Sequence, residues 1–503
     1  MAEAADDGLS RNLEEKKWED EIILRKKELR IKEREQRSKE KEVALRLDES
    51  KKSTWSSPLV IAIAAATITG ILNLIVNYEN GVQQVKLEDR KAENERILKV
   101  VNGDSEIVAD NIQALLDMNL INDPETRQHV QEYLDNRAPG QGLSSGAAHA
   151  PVFQPPPRPT GNSPFHLDLS SVPGVLGANA ANKLVFQVTG DTGSEQEPNI
   201  RTAVAKAMER EFVTSSLDDR PKFLYLLGNI VFYYGEASNY YSQFYQPFAD
   251  YPAPILAIPG NHDADVPSSD YSIQSLDAYM RNFASHNPVS SPDARGDKRQ
   301  TMTEPNSYWT LLTPFATIIG LYTNVPAGGL IDDDQKAWLE SEMENAPKDK
   351  ALILSMHHSP MSFAQGVRGS AQLASLLNDA VNKSRRIPNA ILSAGAFNYQ
   401  RIDAPSPVGK IPFLNVGSGG YFKLHVIGAQ AGATDPQRGA SLTASDDEDH
   451  GFLTFEIDNQ TIKGRFTKAW STKDAATPAD PAGDTFTYSA KPLFLTAGQS
   501  IAW

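Results

Sequence analysis

Several short apolar segments of this chain run directly into turns of glycine and polar residues, and this pattern constrains the fold more than any other feature. Short apolar segments that alternate with helical patterns predict the strands of a layered α/β domain. The carboxyl ends of such strands meet at one edge of a sheet, where open α/β sheets keep their sites. The turns read Gly190-Asp191-Thr192-Gly193, Gly228-Asn229, Gly260-Asn261-His262-Asp263, His357-His358-Ser359-Pro360 and Asn398-Tyr399-Gln400-Arg401.

In this order the five turns resemble the motifs of the calcineurin-like metallophosphoesterases. Their spacing and the Gly-Asp-Thr-Gly form resemble the purple acid phosphatase branch, and the resemblance covers about residues 183–470. It implies an α/β fold, with a layered β-sandwich flanked by helices. It also implies a phosphomonoester or phosphodiester hydrolase with two divalent metals (Mn, Fe, Zn or Mg), in which a metal-bound hydroxide attacks phosphorus. A phosphate ester is then the implied substrate or ligand.

The resemblance assigns roles to residues in three of these turns. Asp191 matches a ligand of the first metal, Asn261 matches the amide ligand of the second, and His358 matches a histidine ligand. His262, with Asp263 behind it, matches the residue that assists the phosphate or the leaving group. The resemblance therefore makes His262 and Asp263 the predicted catalytic residues.

Other positions of the implied ligand set carry different residues. The family's second motif is Gly-Asp-x-x-Tyr, whose Asp bridges the metals, whereas this chain has Asn229 there and Phe232 in place of the Tyr. The last motif, Gly-His-x-His, corresponds to residues 394–397, where Gly395 and Phe397 replace both histidines. Two dications about 3.5 Å apart repel by about 20 kcal/mol at an effective dielectric near 20, and carboxylates must offset that. We therefore expect weak or absent binding of two metals.

Several interpretations of the remaining residues stay open. Carboxylate and amide oxygens also suit one hard cation such as Mg²⁺, Mn²⁺ or Ca²⁺. Asp191 alternatively caps a turn, and the histidines are alternatively hydrogen-bonded core residues. The function is either that of a phosphoesterase with impaired or lost turnover, or that of a non-catalytic binding or scaffolding protein. The candidate metal ligands are Asp191, Asn229, Asn261 and His358, with His357 expected just outside the ligand set.

Residues 1–57 form a charge-rich arm that predicts helix. Glycine and proline are absent from Leu9 to Ser57, and Glu, Lys, Arg and Leu dominate. Ile22, Leu29 and Val43 share a heptad position, but Gln36 interrupts it. Two interpretations are open: a solvated helix held by ion pairs four residues apart, or a weak coiled coil through which chains self-associate.

The segment Leu59 to Val76 contains no charged residue and predicts one transmembrane helix over residues 58–77. At about 1.5 Å per residue, such a helix just crosses a hydrocarbon core of about 30 Å. Trp55 and Tyr78 flank it as interfacial anchors, and the charged flanks favour a membrane span over a buried helix. Lys and Arg are slightly more frequent before it than after it, which favours a cytoplasmic N-terminus but leaves the side of the main domain open.

The rest of the chain divides by composition. Residues 78–137 predict a small helical module, 138–182 a Pro- and Gly-rich linker, 183–470 the phosphoesterase-like domain and 471–503 a tail with one short strand. The formal net charge of -15 gives no signal for nucleic acid. The lack of cysteine excludes disulfides, thiolate metal sites and a cysteine nucleophile. The polar, acidic start predicts no cleavable signal peptide.

Overall fold

The computed structural model describes residues 156–175, 182–266, 274–325, 329–365, 367, 369–478 and 480–503. The predicted charged arm, transmembrane helix and small helical module all lie outside these residues. Among the described residues, no helix is both long and apolar enough to cross a membrane.

The described strands form two large mixed β-sheets and one two-stranded sheet. They are β1 (His166–Asp168), β2 (Leu184–Thr189), β3 (Leu224–Leu226), β4 (Ile255–Ala257), β5 (Trp309–Leu312), β6 (Ala316–Gly320), β7 (Ala351–Ser355), β8 (Arg386–Ile387), β9 (Ala390–Ser393), β10 (Tyr399–Ser406), β11 (Gly409–Val416), β12 (Ser441–Asp446), β13 (Asp449–Ile457), β14 (Thr461–Ser471), β15 (Ala482–Ser489) and β16 (Leu493–Phe494). The eight-stranded sheet has the order β1-β5-β6-β7-β9-β11-β10-β12 and the six-stranded sheet the order β15-β14-β13-β2-β3-β4, while β16 pairs with β8.

Four α-helices are described, and the sequence explains where several of them begin. They are α1 (Pro198–Thr214), α2 (Asp277–Phe283), α3 (Asp333–Asn345) and α4 (Ala371–Ser384). Pro198 opens α1 at a position where its missing N–H is not needed. The Asp332 side chain caps α3 by accepting from Gln335 N, and Ser370 caps α4 by accepting from Leu373 N.

The two sheets pack face to face, and helices cover their outer faces. Phe186 and Tyr225 of the six-stranded sheet meet Trp309 and Leu392 of the eight-stranded sheet in the central core. Helices α1 and α2 pack on the outer face of the six-stranded sheet, and α3 and α4 on that of the eight-stranded sheet. The predicted layered α/β fold is therefore confirmed for the described domain.

The domain extends beyond the predicted boundaries of 183–470 on both sides. Residues assigned to the linker supply β1, which pairs in parallel with β5, and the buried Leu169. Residues assigned to the tail supply β15, which pairs antiparallel with β14, and the buried Ile501 and Trp503. Strand β1 has only three residues and β16 only two, so tertiary contacts rather than local patterns hold these segments in place.

The parallel strands determine where the site lies. In the six-stranded sheet β2, β3 and β4 run parallel, and in the eight-stranded sheet β6, β7, β9 and β11 do. Four of the predicted polar turns follow the carboxyl end of a strand, but Tyr399, Gln400 and Arg401 of the fifth instead begin strand β10, and residues 394–398 form the turn after β9. These ends belong to β2, β3, β4, β7 and β9, and β11 adds a sixth.

Candidate functional site

Hydrogen bonds join the carboxyl ends of the two sheets. Gly190 N, after β2, donates to Val416 O of β11 at 2.8 Å. His357 Nδ1, after β7, lies 2.8 Å from Leu227 O, after β3. The polar turns that follow separate strands in the sequence therefore meet at one edge of the domain.

Three residues in these turns adopt left-handed backbone conformations. Their φ angles are 53° at Asp191, 53° at Asn229 and 52° at Phe397. This region is uncommon for residues other than glycine and recurs at functional sites, where surrounding structure enforces it. The resemblance places a metal ligand at each of these positions. The chain thus combines unusual backbone at all three with ligand-type side chains at only two.

Asp191 and Asn229 form a buried carboxylate–amide pair. Both residues have 0% exposure. The Asn229 Nδ2 amide donates to Asp191 Oδ1 at 2.9 Å, and Asn229 Oδ1 accepts from the backbone N–H of His262 at 3.0 Å. The amide therefore uses both of its ends, and a donor group faces the Asp191 carboxylate.

Two glycines allow the turns after β3 and β4 to approach closely. A Cβ atom added at Gly260 would lie 2.3 Å from Asn229 Oδ1, and one added at Gly228 would lie 2.4 Å from Gly260 N. Gly228 also has a φ of 88°, which favours glycine. The approach that places Asn229 beneath the His262 turn requires glycine at both positions.

His262 is half-buried and oriented by its neighbours. Its ring stacks on Phe232, with the ring centroids 4.0 Å apart. His262 Nδ1 lies 3.0 Å from Tyr233 O, which can only accept, so Nδ1 carries the hydrogen. In the neutral ring Nε2 is therefore the acceptor. Asn261 precedes it, also half-buried, and its backbone O accepts from Ala264 N at 3.0 Å.

Asp263, which the resemblance places behind His262, is held at both of its oxygens by backbone amides. Oδ1 accepts from Ile230 N at 2.9 Å and from Val231 N at 3.0 Å, and Oδ2 accepts from Gly260 N at 2.9 Å. Burial raises the pKa of Asp263 to about 6, although these hydrogen bonds lower it. The contacts give Asp263 a positioning role between the turns after β3 and β4.

His357 and His358 are neutral near pH 7. Burial, with a smaller contribution from the neighbouring histidines, holds the pKa of His357 well below its usual range and lowers that of His358 to about 4. His357 Nδ1 donates to Leu227 O, and His358 Nδ1 lies 2.8 Å from Thr323 Oγ1. The two rings are 5.0 Å apart. Neither histidine can therefore offer positive charge to a phosphate at neutral pH.

An aromatic cluster, defined as Phe232, Phe397, Tyr421 and His425, fills the region beside Asp191. The Phe397 ring is 7% exposed and lies 4.8 Å from Tyr421 and 4.6 Å from His425, between ring centroids. Phe232 stacks on Tyr421 at 4.8 Å. Tyr421 N donates to the backbone O of Asp191 at 2.8 Å, which fixes the cluster against the first turn.

Sequence reasoning missed Tyr421, His425 and the glycine-rich turn before them. This turn, 417–420, follows β11, and a Cβ added at Gly417 would lie 2.6 Å from Asp191 Oδ2. Gly419 N donates to Gly190 O at 3.0 Å. The sequence carries the same pattern here as at the other turns, since an apolar segment ends at Val416 and glycines follow it.

The side chains present do not fit a centre with two metals. Within the residues that the structure describes, no group of three or more His, Asp or Glu side chains is arranged to hold a metal ion. Asp191 Oδ1 faces the Asn229 amide, whose own oxygen accepts from a backbone N–H. Phe397 presents an apolar ring where a ligand is implied.

A two-sheet sandwich with helices outside and polar turns at the carboxyl ends of parallel strands defines the metallophosphoesterase class of fold. Residues 184–383 match the family model of the calcineurin-like phosphoesterases. The family implies a divalent metal cofactor. The matched residues include four of the predicted turns but end before Gly395 and Phe397.

Three solved structures that match this chain are a plant phosphatase, GAP50 and PhoD. A purple acid phosphatase from yellow lupin (Lupinus luteus) seeds is 15% identical, with a TM-score of 0.43, and the match covers 61% of this chain and 54% of the lupin chain. GAP50, the anchor in the inner membrane complex of Plasmodium, is 14% identical, with a TM-score of 0.42 and coverage of 62% and 90%. PhoD is 10% identical, with a TM-score of 0.39 and coverage of 62% and 71%.

The chain therefore spans about half the length of the lupin phosphatase chain that it matches. The comparison with curated proteins gave no match.

Proposed function

We propose that this chain is a membrane-anchored protein whose calcineurin-like phosphoesterase domain binds a ligand or partner without hydrolysing phosphate esters. The phosphoesterase fold describes the domain's architecture, but function depends on the site that the fold carries. A phosphate ester is the ligand that we propose, and the charged arm is the segment through which chains would associate.

The observation that carries this proposal is the buried aromatic cluster beside Asp191. Two-metal hydrolysis needs several anionic or imidazole ligands around each cation and an open position for the attacking water. Phe397 is 7% exposed and packs against Tyr421 and His425, so its side chain occupies this region with apolar surface. The neutral His357 and His358 do not replace the missing charge.

The first test is hydrolysis of a bis-aryl phosphate by the full-length protein with added Mn²⁺. We expect the rate to equal that of the variant Asp191→Ala within about twofold, because the site cannot hold the two metals that generate the nucleophile. A matched control is Asp332→Ala, which changes a carboxylate that caps α3 outside the site. A Mn²⁺-dependent rate at least tenfold above Asp191→Ala, and unaffected by Asp332→Ala, would establish an active phosphoesterase instead.

The second test concerns the membrane anchor, which we propose at residues 58–77 with the N-terminus in the cytoplasm. After alkaline carbonate extraction, the full-length protein should stay with the membranes. The double variant Ile63→Lys and Ile68→Lys should release it, because each central Lys costs about 3 kcal/mol in a membrane span. The control Gln36→Lys and Ser38→Lys adds the same charge in the arm and should not. Release of the unchanged protein would refute the anchor.

A further inference from the structure

We propose that the Asn229 side-chain amide takes the place of a bridging cation, so that the turns of this site hold together without metal. The inference rests on the geometry of the Asp191–Asn229 pair. It shares with the proposed function only the premise that the site is free of metals.

The first step concerns the Asp191 carboxylate. Asp191 is 0% exposed, and a buried carboxylate must be compensated by donors or cations. The Asn229 Nδ2 hydrogen bond to Asp191 Oδ1, at 2.9 Å, supplies such a donor at the position where the family carries its bridging carboxylate. With Asp at 229 the same atom would be a second anionic oxygen, and either a bound cation or a proton shared by the two carboxylates would be needed to relieve the repulsion.

The second step concerns the other end of the amide. Asn229 Oδ1 accepts from His262 N at 3.0 Å, so this one side chain connects the turns after β2, β3 and β4. Gly260 leaves just enough room for this oxygen, because an added Cβ would lie 2.3 Å from it. The amide therefore cross-links three turns through two hydrogen bonds, with a donor on one side and an acceptor on the other.

The third step is that the substitution Asn229→Asp tests the contribution of the side-chain amide hydrogens alone. The substitution preserves shape, and the oxygen that accepts from His262 N remains. The only group that changes is the one facing Asp191, where a donor becomes an anion. Two carboxylates that share a buried place disfavour each other's charged forms strongly, so the variant should be unstable until a divalent cation binds between them.

The experiment measures thermal unfolding of the full-length protein and its variants in EDTA and in Mn²⁺. We expect the melting temperature of the unchanged protein to differ by less than about 1 °C between the two. In EDTA, Asn229→Asp should melt about 5–10 °C lower, and Mn²⁺ should restore at least half of that loss. The restoration is the readout that a merely structural asparagine would not give.

The matched control is Asn389→Asp, remote from the site. Asn389 is 2% exposed; its Oδ1 accepts from Leu352 N at 2.9 Å and its Nδ2 donates to Lys491 O at 2.8 Å. This variant also replaces a buried amide donor by a carboxylate. The new carboxylate faces backbone carbonyls, whereas the one in Asn229→Asp faces a second carboxylate. The loss of melting temperature in Asn389→Asp should be the same in EDTA and in Mn²⁺.

Two results would overturn the inference. One is a decrease of more than about 3 °C in the melting temperature of the unchanged protein when EDTA is added. This result would overturn the inference even if Asn229→Asp fails to fold. The other is equal melting of Asn229→Asp in EDTA and Mn²⁺. If EDTA does not change the melting temperature but the protein hydrolyses the ester in the presence of Mn²⁺, only the proposed loss of activity is refuted.

Discussion

Removal of residues 471–503 is expected to prevent the phosphoesterase domain from folding, although the sequence predicts a boundary at 470. The removed segment supplies β15, the edge strand of the six-stranded sheet, and β16, which pairs with β8. It also supplies buried side chains to the core. Because these contacts reach both sheets, their loss is not confined to one end of the domain.

The apolar part of this loss alone approaches the stability of a typical domain. Phe486, Leu495, Ile501 and Trp503 are all less than 9% exposed. Burial of such side chains contributes about 1.5–3 kcal/mol each, or about 6–12 kcal/mol together. Native domains are stable by only about 5–15 kcal/mol.

The polar part of the loss concerns Asp484. Its carboxylate accepts from Arg401 Nε at 2.6 Å and Nη2 at 2.9 Å, and from the Tyr399 hydroxyl at 2.8 Å. Both partners lie on β10 of the eight-stranded sheet. Truncation would leave the Arg401 guanidinium without its carboxylate, and because the pair is half-buried this should cost less than the roughly 3–5 kcal/mol of a fully buried ion pair.

The measurement is near-UV circular dichroism with thermal unfolding of residues 150–470 against 150–503. The longer chain should unfold cooperatively and serves as the control for removal of the N-terminal residues. The shorter chain should show no cooperative transition. A transition within about 5 °C of that of the control would show that the C-terminal residues are dispensable, contrary to the expected result.

The fold and the meeting of the turns could be predicted because each turn follows a buried parallel strand. A continuous apolar run identifies such a strand, and parallel strands bring their carboxyl ends to one edge. This reasoning brought Asp191, Asn229, His262 and His357 together correctly. It also identified Phe397 as a departure from the family, before the structure placed the ring in an aromatic cluster.

The parts of the fold and of the site that could not be predicted depend on tertiary contacts, which leave no local pattern in the sequence. Strand β1 has three residues and forms only by pairing with β5. The C-terminal residues from 471 onward are held by partners such as Arg401, far away in the sequence. Likewise, the hydrogen-bond partners of Asp263 include backbone amides some thirty positions earlier, and a backbone N–H carries no signature in the sequence.

Replacement of Asp263 by Ala is expected to reduce the free energy of unfolding by about 3–6 kcal/mol at pH 7. The carboxylate accepts three backbone N–H bonds, from Ile230, Val231 and Gly260. Without it, these donors stay buried and unpaired, at about 1–3 kcal/mol each. Relief of the buried charge offsets part of that loss, so the total lies below the sum of the upper values.

Two control variants distinguish the loss of these three hydrogen bonds to Asp263 from the loss of any carboxylate. Asp332→Ala removes a single helix-capping bond to Gln335 N and should cost about 1 kcal/mol. Asp263→Asn keeps the oxygen that serves Ile230 and Val231, but it turns an amide donor toward Gly260 N. It should therefore fall between the two alanine variants. If urea unfolding gave the same loss of unfolding free energy for Asp263→Ala and Asp332→Ala, the three hydrogen bonds to Asp263 would contribute little to stability.

The pH dependence of the unfolding free energy, compared between the unchanged protein and Asp263→Ala, tests the burial of Asp263. Because burial raises its folded pKa to about 6, above the ordinary unfolded value near 3.9, the folded state binds the proton more tightly. The stability linked to that proton is present below the unfolded pKa and is lost as the pH rises through the folded pKa. The difference in unfolding free energy between the unchanged protein and Asp263→Ala should thus be about 1 kcal/mol larger at pH 5 than at pH 7. A difference that shrinks at pH 5 would mean that the three hydrogen bonds to Asp263 need the ionised carboxylate and that hydrogen bonding, rather than burial, sets the pKa of Asp263.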